Sequence, residues 1–409
     1  MPAHLAKAVL YLTSRRMRIL VAHNAYLYRG GEDTVVEAEI ALLQRHGHEV
    51  MLYRRDNADL DALPRWQAAV DSVWSKRTVM EVGRLLGSFR PHLIHAHNTF
   101  PLISPSLYGV AEQLGIPVVQ TLHNFRLLCP QAMLMRNGRY CDDCVGRWPW
   151  RAVLHRCYRG SLTQSAVSAG MVSGHRMLGT WRDRVRRYIV LNQMCREIFI
   201  RGGLPPDKLC IKPNFVEAIG VPGEHVRHGG LFIGRLVPEK GLLTLVQAIR
   251  QKPVTRIEVC GSGPLQATIE QSQGLDYIGF EQGEALRTRI ASAEFLVMPS
   301  TGIESFGLAA IEAFACGTPV IASRHGGLRE IVEHGRNGLL VTPGNADELA
   351  DAIAYAVANP MQMRRMGLEA YQTYLARYTP ERNYTALMDI YHQALTPLPT
   401  SLTAETIDA

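Results

Sequence analysis

Short apolar and β-branched runs alternate with amphipathic segments in both halves of the chain, the pattern of a parallel sheet covered by helices on both faces. In the first half it predicts strands over Arg18–Ala22, Glu49–Tyr53, Leu93–Ala96, Pro117–Thr121 and Tyr188–Leu191, with helices over Thr34–His46 and Ser104–Leu114. A second series predicts strands over Gly230–Ile233, Ile257–Cys260, Tyr277–Gly279, Phe295–Met298, Pro319–Ala322 and Leu339–Val341. The expected fold is therefore α/β, with two Rossmann-like, doubly wound domains at 17–215 and 231–378. The stretch 216–230, with Pro222 and its glycines, reads as the linker. Beyond Asn345 the pattern is helical to about Ala394, and 379–409 reads as a terminal helix and tail that can pack back on the first domain.

A chain of 409 residues agrees with two cores rather than one. No run approaches the roughly 20 apolar residues of a membrane-spanning helix. Residues 1–16 carry a short apolar run without a cleavage-site pattern, and Met17 directly precedes the first strand, so they read as a dispensable extension. Eight cysteines without an export signal suggest a reducing, cytoplasmic setting.

Net charge is +7, and the excess is uneven. Arg147, Arg151, Arg156, Arg159, Arg176, Arg182, Arg184, Arg186 and Arg187 face only Asp183, and Trp148, Trp150, Tyr158 and Trp181 are interleaved with them. Such a stretch suits anionic lipid or phosphate, so a membrane surface is an expected partner; a solvated basic face is the alternative. Basic residues with a zinc loop could also suggest nucleic-acid binding, but no helix-turn-helix or zinc-finger spacing accompanies them, and nucleic acid is not the expected partner.

Ligands of open α/β sheets bind beyond the carboxyl ends of strands, where loops lead into helix N-termini. The loop Gly234-Arg235-Leu236-Val237-Pro238-Glu239-Lys240-Gly241 offers a guanidinium fork and a mobile ammonium to phosphate oxygens. The segment from Met298 through Glu304-Ser305-Phe306-Gly307-Leu308 to Glu312 joins a buried strand to an apolar helix, whose first amides could meet a diphosphate. If Glu304 and Glu312 share one helix, eight residues mean roughly 80° of rotation and about 12 Å of rise, so both carboxylates can face one cleft at different depths.

These motifs, with Ala315-Cys316-Gly317-Thr318-Pro319 following them, resemble glycosyltransferase family 4, the retaining GT-B enzymes, in which two such domains face each other across a cleft. The resemblance implies transfer of a hexosyl group from a UDP- or GDP-linked sugar to a saccharide or lipid-linked saccharide, with no cofactor required for catalysis. It implies that Arg235 and Lys240 hold the diphosphate, that Glu304 meets the donor sugar, and that Glu312 binds the ribose. Gly234, Ser305 and the amides of Phe306, Gly307 and Leu308 would line the same site, and the backbone around Ile278–Phe280 would meet the base. In the first domain Gly30-Gly31 resembles the glycine loop of the cleft, His123 the histidine that contacts the transferred sugar, and Asn214 sits at the hinge. A nucleotide-sugar epimerase of the same fold is the other enzymatic reading.

Cys129, Cys141, Cys144 and Cys157 are separated by eleven, two and twelve residues, a spacing compatible with one structural zinc ion or with four reduced thiols. Asp59-Leu60-Asp61 matches the carboxylate triplet of metal-dependent glycosyltransferases of another fold, a coincidence in this α/β pattern.

Overall fold

The structure, a computed structural model, describes residues 16–27, 29–217 and 226–396. Almost all of the expected extension, the middle of the expected linker (218–225) and the tail beyond 396 lie outside the described residues.

The first sheet consists of β1 (Arg18–Ala25), β2 (Glu49–Asp56), β3 (Leu93–Ala96), β4 (Val118–Leu122), β7 (Arg187–Val190) and β8 (Leu209–Ile211), in the order β2-β1-β3-β4-β7-β8. Between β4 and β7 the chain makes a long excursion that includes a small hairpin, β5 (Met135–Arg136) and β6 (Arg139–Tyr140). The second sheet consists of β9 (Gly230–Ile233), β10 (Ile257–Cys260), β11 (Leu275–Gly279), β12 (Phe295–Met298), β13 (Val320–Ser323) and β14 (Gly338–Val341), in the order β11-β10-β9-β12-β13-β14. Every pairing in both six-stranded sheets is parallel.

Strands covered on both faces should read as largely apolar, and in the second sheet β12 (FLVM) and β13 (VIAS) do, buried at every position. The first sheet departs from this. Its central strands bury His23, Asn24, His95, Gln120 and Thr121, which must find partners inside the protein. Some come from the helix Pro380–Leu395, which leaves the second domain and packs on the first, with Leu387, Met388 and Tyr391 in one apolar cluster with Ile19, Val21 and Val119. There Tyr391 Oη lies 2.7 Å from His95 Nδ1, and His95 Nε2 lies 2.8 Å from Thr121 Oγ1.

Lys212, only 1% exposed, brings its ammonium to 2.9 Å from Glu39 Oε2 and 3.2 Å from Asn383 Oδ1. Burial raises the Glu39 carboxyl, but the Lys212 cation and His95 overcome it and hold the group well below the ordinary carboxylate range. Among the described residues, Glu39, His95 and His97 form the one compact cluster of metal-ligand atoms. The lysine already supplies its positive charge, so it reads as an ion pair in a polar network.

Candidate active site

A doubly wound sheet opens a crevice where neighbouring strands send their connections to opposite faces. In the second sheet that point lies between β9 and β12, and the loops leaving these two strands carry Gly234–Gly241 and Pro299–Gly307. Glycines allow the two loops to interlock. A Cβ on Gly241 (φ 74°) would fall 1.9 Å from the Pro299 carbonyl oxygen, and one on Gly261 1.9 Å from that of Gly234. Any larger residue would push apart the loops that present Arg235 and Lys240.

Lys240 Nζ lies 2.6 Å from Glu304 Oε1, and the Ser300 hydroxyl donates to the same oxygen at 2.6 Å. Burial raises the Glu304 carboxyl, but the Lys240 ammonium and these hydrogen bonds outweigh it and leave the group below its ordinary value. Arg235 is mostly exposed, 3.4 Å from Glu239, and free to swing toward an incoming anion.

The sequence-based geometry of the two glutamates requires correction. The helix here is Leu308–Ala315, so Glu304 sits in the loop before it and the two carboxylates are not related by helical rotation. The loop turns at Gly307 (φ 115°), whose absent side chain leaves room for Leu328. The amides of Ser305, Phe306, Gly307 and Leu308 make no backbone hydrogen bond outside the helix. They are the donors an anion at this helix start would meet. Glu312, inside the helix, accepts no hydrogen bond from the described residues, and burial pushes its carboxyl up to about 7 against the weaker pull of Arg287. Ile278 is partly buried, Phe280 is 60% exposed, and Gly234 (φ 152°) donates to the Cys260 carbonyl.

The first domain meets this site directly. A Cβ on Gly31 would stand 3.6 Å from Leu308 Cδ2, so the Gly30-Gly31 loop faces the start of that helix. Asn192 donates from Nδ2 to the Ser305 carbonyl (2.7 Å) while its Oδ1 caps its own helix at Cys195. Glu330 accepts from the amides of Gln193 and Met194, at 3.0 and 2.7 Å. His123, at the end of β4, is 8% exposed, with Nε2 2.9 Å from His97 Nδ1. Burial and the neighbouring His97 hold its pKa well below the ordinary value, so it is a neutral imidazole. Asn214 is buried beside the Lys212 network, with Oδ1 unpartnered.

A family model described as "Glycosyl transferases group 1" matches residues 230–373, and one described as "Glycosyltransferase Family 4" matches residues 29–218. An uncharacterized glycosyltransferase of Methanocaldococcus jannaschii is 31% identical over 307 residues, 74% of this chain and 75% of the relative. The chain belongs to glycosyltransferase family 4. The solved sucrose-phosphate synthase of Thermosynechococcus elongatus has the same two-domain fold as this glycosyltransferase, with a TM-score of 0.69 at 21% identity over 92% of this chain and 99% of that one. HepE of Anabaena, solved in complex with UDP, gives 0.63 at 18% identity over 91% and 99%. Matches to several other curated relatives span only 37–48% of those proteins' lengths.

Several residues around the glycosyltransferase site are given no role by the sequence motifs, Glu32 among them although it follows the Gly30-Gly31 pair. Glu32 accepts from Tyr26 Oη at 2.9 Å, leaves Oε1 buried without a partner, and is pushed up to about 7 by burial. His325 has both ring nitrogens buried and unpartnered, near Glu304. Gly326 and Gly327 let this turn lie against the Glu304–Phe306 backbone: Cβ atoms there would stand 2.7 Å from the Glu304 oxygen and 2.6 Å from the Phe306 oxygen. The triplet at 59–61 has no role in this geometry. It lies in the short helix Asn57–Ala62 of the first domain, where Asp59 is half exposed and 3.7 Å from Arg55.

A pH prediction follows from Glu312. Hydroxyl donors favour the ionised carboxylate, so a ribose bound to Glu312 should lower its pKa from about 7 and release a proton on binding. Nucleotide affinity should therefore fall below pH 7, by up to about tenfold per unit if only the ionised form binds. Titration calorimetry of the wild type and Glu312→Gln from pH 5.5 to 8 isolates this from ionisation of the nucleotide itself. Parallel pH profiles for the two proteins would refute it.

Proposed function

We propose that this glycosyltransferase transfers a hexosyl group from UDP- or GDP-linked sugar to a saccharide or lipid-linked saccharide, with retention at the anomeric carbon, at the face of an anionic membrane. The observation that carries the donor half is the convergence at one crevice of Arg235, Lys240, the helix-start amides of Ser305–Leu308 and the unsatisfied carboxylate of Glu312. Cations and amides answer a diphosphate, and a carboxylate answers a diol. HepE, of the same fold, was solved with UDP, which supports a nucleotide in this crevice.

In this reading Arg235 and Lys240 stabilise charge on the departing diphosphate without a metal ion. Glu304, held by Lys240 and Ser300, accepts a sugar hydroxyl. His123, kept neutral and fixed by His97, meets the sugar from the opposite wall. Gly234 lets the Arg235 loop approach the diphosphate, Phe280 offers an exposed ring beside the backbone of Ile278 for the base, and Asn214 lies at the hinge.

The acceptor half rests on the surface. Trp148, Trp150, Leu154 and Leu162 are all more than half exposed, as are Met177 and Leu178, and Arg147, Arg151, Arg156 and Arg159 are exposed beside them. Trp181, expected on this face from the sequence, is instead buried: it packs in the first domain's core near His175. Arg184 is also drawn away, paired with Glu112 at 2.8 Å. Apolar and basic side chains interspersed on neighbouring helices suit a lipid–water interface. Among the described residues no helix is long and apolar enough to cross a membrane.

The test is incubation with labelled UDP- and GDP-sugars and membrane lipids, read as label entering an extractable glycolipid, with the anomeric configuration taken by NMR. Label in the lipid with retained configuration is expected, and Trp148→Ala/Trp150→Ala should weaken sedimentation with anionic vesicles several-fold. Release of an isomerised sugar without acceptor would overturn the proposal.

A further inference from the structure

The excursion between β4 and β7 carries four thiols that the transfer chemistry does not use. Cys129, Cys141, Cys144 and Cys157 line one cavity of about 20 Å³ together with Met135, Arg136, Asp143 and Arg151. That volume holds a single water-sized body and no organic ligand. The backbone fixes each cysteine separately: the Cys129 amide donates to Phe125 O (2.8 Å), Cys141 to Leu134 O (2.9 Å) and Cys157 to Ala152 O (2.9 Å), while Arg147 N closes a turn on Cys144 O (3.4 Å). None of the four is bridged to another.

We propose that these four cysteines bind one zinc ion as a closed structural site, and that the ion holds the hairpin β5–β6 against the loop that presents Lys240 and Glu304. Four sulfur donors that include a Cys-x-x-Cys pair suit tetrahedral zinc and leave no open position for catalysis. Arg136 and Arg151 border the cavity and offset the negative charge of four thiolates, both steered by Asp143 at 2.7 and 3.3 Å. The sulfurs are spaced more widely than the compact Glu39–His95–His97 cluster. Zinc–sulfur bonds of about 2.3 Å place neighbouring sulfurs under ~4 Å apart. Loading therefore draws the turn inward, and the partly exposed Cys141 and Cys157 are the members with room to move.

The mechanical link to the donor loop is short. Met135 Sδ, on the hairpin, stands 3.1 Å from where a Cβ on Gly302 would be, and Ile303 packs on the first-domain core that contains Cys129 and Leu134. Thr301 and Gly302 donate their amides to the carbonyl of Glu239, the residue before Lys240, and Glu304 follows Ile303. A hairpin pinned by metal thus buttresses both ends of the Lys240–Glu304 pair. This second half of the proposal rests on the donor-site reading; the metal content does not.

The experiment uses the full chain. Elemental analysis should give one zinc per protein, released with modification of four thiols by a mercurial and lost in Cys141→Ser/Cys144→Ser, while Cys210→Ser, outside the cluster, keeps it. Should the double variant not fold, release from the wild-type protein gives the same stoichiometry. UDP affinity should fall several-fold on zinc release and recover on re-addition of zinc, with protease cutting within 131–160 appearing only in the zinc-free protein. Zinc well below one equivalent, or any pair of the four found as a disulfide in the active protein, overturns the site. One equivalent of zinc whose removal leaves UDP affinity unchanged overturns the buttress.

Discussion

Lys240→Ala should lower the transfer rate by about 100- to 1,000-fold, the scale of losing one preorganised charge at a developing anion. The lysine does two things in this geometry. Its Nζ stands at the crevice proposed to hold the diphosphate, and at 2.6 Å it fixes Glu304, which the Ser300 hydroxyl holds from the other side. Removing the ammonium leaves a buried carboxylate with one neutral partner, so its pKa should rise and its acceptor role weaken toward neutral pH. The loss should fall mainly on kcat, because Arg235 and the helix-start amides still bind the ground-state diphosphate. Lys240→Arg should recover little, since a planar fork does not fit the point contact with Glu304. Steady-state kinetics of the two variants check this, and near-normal kcat in Lys240→Ala would refute the role.

Lys212→Met should cost about 3–5 kcal/mol of stability, the usual penalty for stripping the partner from a buried charge. Glu39 is 2% exposed, and its other neighbours, His95 Nδ1 at 3.0 Å and His97 Nε2 at 3.5 Å, are no substitute for the cation. His97 is itself held neutral, its pKa pushed down to about 3 by burial and by His95. At roughly 2–4 °C per kcal/mol for a domain of 150–250 residues, the melting temperature of the first domain should fall by about 10 °C. Adding Glu39→Gln should restore part of the loss, because the orphaned charge is gone. Equal melting temperatures for wild type and Lys212→Met would refute the account. Activity should suffer too, since the network ends at His97 and through it orients His123.

The strand pattern was legible because parallel strands buried on both faces leave a compositional trace. β9, β10 and β12 have the bounds their apolar runs predict, whereas β8, three residues long and exposed at Ile211, and the two-residue strands β5 and β6 left too little trace to read. The loops of the proposed donor site were picked out for a similar local reason: glycines, cations and carboxylates stand at fixed offsets from strand ends, and the fold brings 234–241 and 299–308 to the same crevice. Glu304 was misread because helical periodicity cannot show that Gly307 turns the chain before the helix begins. Contacts made between distant segments left no signature. Asn192 caps its own helix at Cys195, and nothing local in the sequence says that its other arm reaches Ser305 in the second domain. Glu330 is likewise an ordinary helix-start acid until its partners prove to be the amides of Gln193 and Met194. The histidine network could have been suspected, since His95 and Gln120 interrupt otherwise apolar strands, but its lysine lies 117 residues beyond His95.

The central claim, a nucleoside diphosphate seated between the loops of β9 and β12, is tested most directly by calorimetric titration of the full chain with UDP and GDP, with no divalent ion added. The account predicts micromolar binding of one nucleotide that Arg235→Ala weakens at least tenfold and Glu312→Ala also weakens. Absence of binding to either nucleotide, or unchanged affinity in both variants, would contradict it.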